Sequence, residues 1–205
     1  MKTTALRLTQ SFTAAVLLLL APGLAAAEKS AEFKNQPDKA FASAHDAFLK
    51  GDTKKAASQI QKAADYVRRQ SEFVADDSKS AMQKSADELE KLAKGVKAGT
   101  VKSGDDLKKS FAQADHQIAS CWHKTAEASK KSGKDASEDL AKAGQSLSAA
   151  AEWSGQKLTD GTRASLKALK KAGKSTDKAA KASADEVDEW FKSVGEGISS
   201  LKLKL

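Results

Sequence analysis

From Thr53 to Lys94 the chain contains neither glycine nor proline. Over that stretch Ile60, Ala63/Ala64, Val67, Ser71, Val74, Ser78, Ala81/Met82, Ser85, Leu89, Leu92 and Val96 follow one another at alternating steps of three and four. That period places them on one face of an α-helix and on no face of a strand. β-Branched runs are few, and no Asn-Gly or Asp-Gly hairpin lies between alternating apolar stretches, so strand signals are nearly absent. The reading is an all-α protein. The unbroken stretch alone predicts a rod of roughly 65 Å at about 1.5 Å per residue, with Ala75-Asp76-Asp77-Ser78 the one place where it can bend or split.

Further helices follow from the same period. A first one is expected from Pro37 to Lys50, with Phe41, Ala44/His45 and Phe48 on one face, Gly51 as stop and Asp52 as the next N-cap. Gly95, Gly99 and Gly104 mark a loop. Ser103 or Asp105 then caps a third helix whose stripe is Leu107, Phe111, Ala114, Ile118, Cys121/Trp122 and Thr125, ending near Ser132-Gly133. Beyond it, Ala136, Leu147, Leu158, Leu169, Ala180 and Phe191 recur about every eleven residues, close to the straight-helix period of about 3.67 per turn. Glycines predict breaks near Gly155–Gly161 and Gly173. The final Gly197–Leu205 alternates apolar and charged residues, as a helix tail or a short extended segment does. The expected architecture is an elongated bundle of about four to five long Ala/Lys-rich amphipathic helices. It divides into an N-terminal bundle over 28–132 and an amphipathic C-terminal region over 133–205.

Two resemblances accompany this reading. The Ala/Lys/Glu helices of the last 70 or so residues resemble those of late-embryogenesis-abundant and exchangeable apolipoprotein families. Phe41 to Ala64, with Lys50-Gly51-Asp52 at the turn, resembles a tetratricopeptide-type helical hairpin. No second copy follows at a period of about 34 residues, so no repeat array is expected.

Residues 1–27 have the layout of a cleaved secretory signal peptide: basic Lys2 and Arg7, a short apolar run through Leu17-Leu18-Leu19-Leu20, then Ala25-Ala26-Ala27 before Glu28. The run is shorter than the roughly 20 apolar residues that span a bilayer. A periplasmic or secreted protein is expected, with no transmembrane span in the mature chain. The net charge of +8 becomes +6 when Lys2 and Arg7 leave with no acid. In that compartment the available anions are lipid headgroups, envelope polymers and acidic proteins, rather than nucleic acid.

Catalytic patterns are missing. The sequence has no Gly-x-Ser-x-Gly, no His-Glu-x-x-His and no glycine-rich phosphate loop. A non-enzyme without cofactor is expected. The soft metal ligands are His45, His116, His123 and Cys121. His116 and His123 lie seven residues, or about 10 Å, apart along one helix, too far to share an ion at zinc–nitrogen distances of about 2.0–2.1 Å. Both fall opposite the apolar stripe and are expected at the surface, while His45 and Cys121 sit on apolar faces. A single cysteine forms no internal disulfide.

The sharpest functional feature is basic. Arg163, Lys167, Lys170, Lys174, Lys178 and Lys181 fall within about 80° on a helical wheel. Lys171 lies beside them and Trp153 near the same side. A basic amphipathic helix of this kind lies on anionic surfaces or reads acidic partners. The competing structural role is a solvated lysine face, or pairing with Asp185-Glu186-Val187-Asp188-Glu189 on a neighbouring helix. The function expected is that of an exported, non-enzymatic cell-envelope protein that binds anionic lipid, polymer or an acidic protein. The alternatives are a structural or stress-protective protein that self-associates, and a periplasmic metal-binding bundle. Leu, Ile, Val and Phe together fall below the roughly 20% that ordinary globular chains exceed, so a thin core is expected.

Overall fold

A computed structural model describes residues 37–172 and 182–203. The expected signal segment, and Gly173, Lys174, Lys178, Ala180 and Lys181, lie outside the described residues. The described residues form an all-α bundle of seven α-helices, more than the four to five expected. In chain order they are α1 (Asp38–Leu49), α2 (Thr53–Gln70), α3 (Asp76–Lys97), α4 (Gly104–Lys131), α5 (Ser137–Ser154), α6 (Asp160–Ala172) and α7 (Ala184–Ser200). A 3₁₀ turn, Ser71–Phe73, follows α2.

The expected rod is two helices. After the 3₁₀ turn, Val74 and Ala75 are extended (ψ 163° and 149°), and α3 returns along α2. Arg68 ties the two together: it bonds Asp87 at 2.6 Å and also Glu90, and Gln61 reaches Glu90 at 3.4 Å. The reason lies in the stripe. Half of it is alanine and serine, and alanine buries little area. A straight rod of this length leaves its thin apolar face in water, whereas folding it back lets Ile60, Val67, Met82 and Leu89 bury one another. Asp76 and Asp77 then occupy the first turn of α3, where the helix dipole favours carboxylates. Thr125 of α4 accepts the freed Ala75 N–H at 2.9 Å.

The turn between α1 and α2 forms as its residues dictate. Gly51 takes φ +77°, a left-handed conformation that glycine adopts freely. Asp52 accepts the Lys55 N–H at 2.9 Å. The α4 cap is Ser103 in a reciprocal capping box with Asp106.

α4 is the hub. Its Phe111 stacks on Phe41 of α1, with ring centroids 4.3 Å apart. Its Cys121 and Thr125 face the start of α3. α5 runs antiparallel beside it: Phe111 meets Trp153 at one end and Ser129 bonds Asp139 at the other. Residues on both sides of position 132 therefore share one buried cluster. Among the described residues, the run from 133 onward holds three helices. Gly155 ends α5 at φ +67°, and α6 and α7 pack as a pair, with Ser165 bonded to Ser193 at 3.0 Å. The C-terminal tail leaves helix at Leu201 and is held to the α5–α6 loop by two bonds between Lys202 backbone and the Gln156 side chain (3.1 and 3.4 Å). Among the described residues, no helix is long and apolar enough to cross a membrane.

Two glycines test this packing. A Cβ on Gly197 of α7 meets Leu147 Cδ2 at 2.6 Å and Thr162 Cγ2 at 2.8 Å, whereas a Cβ on Gly161 of α6 meets nothing within 4 Å. Gly197→Ala is expected to destabilise by about 1–3 kcal/mol through overpacking, despite its helix propensity. Gly161→Ala is expected to stabilise by up to about 1 kcal/mol. Denaturant melts of both variants check the contrast.

Candidate functional site

α6 turns one face into the bundle and one outward. Thr162, Ser165, Leu169 and Ala172 are buried. Arg163, Lys167, Lys170 and Lys171 are exposed on the opposite side. Arg163 pairs with Asp160 one turn away. Lys167, Lys170 and Lys171 form no ion pair among the described residues. Four residues of the expected basic face are thus presented together. Lys174, Lys178 and Lys181 lie outside the described residues.

The acidic stretch that might have covered this face is engaged elsewhere. Glu186 closes the capping box of α7 with Ser183, its carboxylate accepting the Ser183 N–H at 2.9 Å. Asp188 pairs with Lys130 of α4. Lys130 also stands 5.2 Å above the Phe191 ring. Glu186 therefore holds the N-terminus of α7 and Asp188 docks it to α4, and neither forms an ion pair with α6.

Trp153 is held by aromatic contacts inside the bundle. It is half-buried at the C-terminal end of α5, edge-on to Phe111 (5.3 Å) and to His45 (5.7 Å). It serves the aromatic layer between α1, α4 and α5.

The four candidate metal ligands are not brought together. His45 lies beside Trp153 and close to Gly104. Cys121 is buried against α3, its Sγ 3.6 Å from the Ser78 carbonyl. Burial pushes its thiol pKa up, which makes it a poor nucleophile. His116 and His123 are half-buried, not at the surface as expected, because α7 packs on the face of α4 opposite the main stripe. His116 Nε2 donates to the Ile198 carbonyl at 2.9 Å, and His123 Nε2 to the Phe191 carbonyl at 3.1 Å. The seven-residue spacing on α4 thus meets the same spacing on α7. Gly195 makes room, since a Cβ there comes within 3.3 Å of His123 Nε2. Among the described residues, no group of three His, Cys, Asp or Glu side chains is placed to hold a metal ion.

One buried polar feature escaped the sequence reading. Asp115 of α4 is fully buried, and neither of its carboxylate oxygens has a hydrogen-bond partner. It stands four residues after Phe111 and three before Ile118, in the centre of the apolar stripe. An acid at a central stripe position was the signal available. Asp38, in the first turn of α1, acts on it as a like charge.

Replacing His116 and His123 by alanine is expected to loosen α7 while leaving α1–α3 intact, at a cost of about 1 kcal/mol for each lost bond. Hydrogen exchange resolved by peptide checks this, with faster exchange confined to Ala184–Ser200. Comparison with protein-family models, with curated proteins and with solved structures finds no match.

Proposed function

We propose that this chain is an exported, non-enzymatic protein of the cell envelope, and that it binds anionic lipid, an anionic polymer or an acidic protein surface through the outer face of α6. The observation that carries the reading is a basic face on which Lys167, Lys170 and Lys171 form no ion pair among the described residues and Arg163 pairs only with Asp160 of its own helix. Arg163, Lys167, Lys170 and Lys171 project together, and two acids of α7, Glu186 and Asp188, are taken up by capping and by Lys130. Unneutralised cations on a rigid helix attract an anionic surface by about 1 kcal/mol each, less as salt rises.

The mode of contact follows from what α6 buries. Leu169 and Ala172 face inward and do not enter a membrane while the bundle is closed. Binding is therefore peripheral and electrostatic, without the apolar insertion of a free amphipathic helix. The expected export rests on the basic–apolar–small layout of residues 1–27.

Vesicles of mixed anionic and zwitterionic lipid are the probe. The mature chain is expected to cosediment with them at low salt and to be released as salt is raised. The triple change Lys167→Glu, Lys170→Glu, Lys171→Glu is expected to abolish cosedimentation while leaving far-UV circular dichroism unchanged, since all three side chains are exposed. Retained binding in the triple variant sinks the assignment to this face.

A further inference from the structure

The α1–α4–α5 junction has two layers. One is aromatic: Phe41 stacked on Phe111, Trp153 edge-on to Phe111, and His45 edge-on to Trp153. About one turn along α1 and α4, and two turns along α5, is a polar layer. Asp115 comes from α4, Asp38 from the first turn of α1, and Gln145 from α5 stands beside Asp38.

Among the described residues, neither acid of the polar layer forms an ion pair. Asp115 is 0% exposed, and neither Oδ1 nor Oδ2 has a partner. The charge that acts on it from α1 is Asp38, of like sign, and no cation from α3, α5 or α7 acts on it noticeably. From α5, Glu152 adds a second like charge to Asp38. Lys142, the buried cation of α5, is occupied by Glu138 at 2.7 Å and Asp139 at 3.6 Å and lies over the Trp122 ring. His116, next to Asp115 in the chain, turns to α7. An ionised carboxylate in such a place is costly enough that it takes up a proton instead.

We propose that the Asp38–Asp115 pair is a proton-binding site that locks α1 onto the bundle: while the pair holds a proton α1 stays docked, and when the proton leaves, α1 lifts from α4 and α5 and uncovers the Phe41–Phe111–Trp153 layer. The direction of control follows from burial. Burial first, and then the neighbouring carboxylate, push the Asp115 pKa well above the usual carboxylate range. Burial also pushes Asp38 up, against the pull of Gln145. The first turn of a helix ordinarily favours a carboxylate; at Asp38 burial outweighs it. A carboxyl whose folded pKa is raised binds more protons folded than unfolded. Its contribution is complete below the unfolded value near about 3.9 and is lost as pH rises through the folded value. Docking of α1 is thus strongest in acid and weakest in alkali.

The test is hydrogen exchange of α1 peptides, corrected for intrinsic rates, at about pH 5.5 and about pH 9. In the unmodified chain the corrected exchange of Asp38–Leu49 is expected to rise about tenfold or more for each pH unit of displaced titration. In Asp115→Asn, a neutral side chain of the same size, it is expected to stay constant. Equal protection at both pH values in the unmodified chain overturns the proposal, as does an equal rise in the variant. Should Asp115→Asn fail to fold, infrared pH-difference spectra of the unmodified chain decide. A protonated carboxyl band that persists at neutral pH and vanishes as α1 loosens supports the lock. Its absence at neutral pH overturns it. Calcium or magnesium restoring α1 protection in alkali also overturns it, because a metal cation would then be the occupant.

Discussion

The structure depends on α4 being buried from several sides at once. Leu107, Phe111, Ile118 and Trp122 form one face of it, covered by α1, α3 and α5. The other face, which carries His116 and His123, is covered by α7. A chain with so few large apolar residues cannot build a separate core for each helix pair. It concentrates them on one long helix, and that helix supplies a shared wall. Around it alanine does the rest: Ala112, Ala119, Ala126, Ala143 and Ala150 are fully buried. Small side chains let helix axes approach closely, so each contributes dispersion contacts in place of area.

Much of this was legible in the sequence. Helix identity followed from the three–four spacing, and the turn at Gly51–Asp52, the cap at Ser103 and the break at Gly155 followed from the residues present. Two things were hidden, for physical reasons. The Thr53–Lys94 segment reads as one rod with a single place to bend or split, Ala75–Ser78, and the chain does leave the helix just before Asp76, but spacing does not say whether it will. What breaks it is tertiary: two thin apolar faces that bury more by meeting each other. His116 and His123 read as exposed because a helical wheel ranks faces of one helix and knows nothing of a second neighbour. Only α7, some 70 residues further on, turns their face inward.

The candidate site was legible in part. The basic stripe is visible in spacing alone, and the fold adds what spacing cannot: which residues compete for it. The acidic run Asp185–Glu189 was the natural partner by sequence, yet two of its acids, Glu186 and Asp188, are engaged by the α7 cap and by Lys130. Trp153 shows the opposite. It reads as a boundary residue near the basic face, and it belongs to the aromatic layer between α1, α4 and α5. Asp115 carries its signal as a polar exception within an apolar stripe, which spacing of apolar residues alone does not register.

A core assembled largely from alanine has a thermodynamic consequence of its own. The heat capacity of unfolding and the sensitivity to denaturant both scale with the apolar surface that unfolding exposes. Methyl groups expose little of it, while the backbone amides released from the helices expose polar surface that lowers the heat capacity further. The free energy of this bundle therefore varies gently with temperature for its length. Its stability curve is shallow and broad, so that modest stability is held across a wide thermal range instead of being concentrated near one optimum.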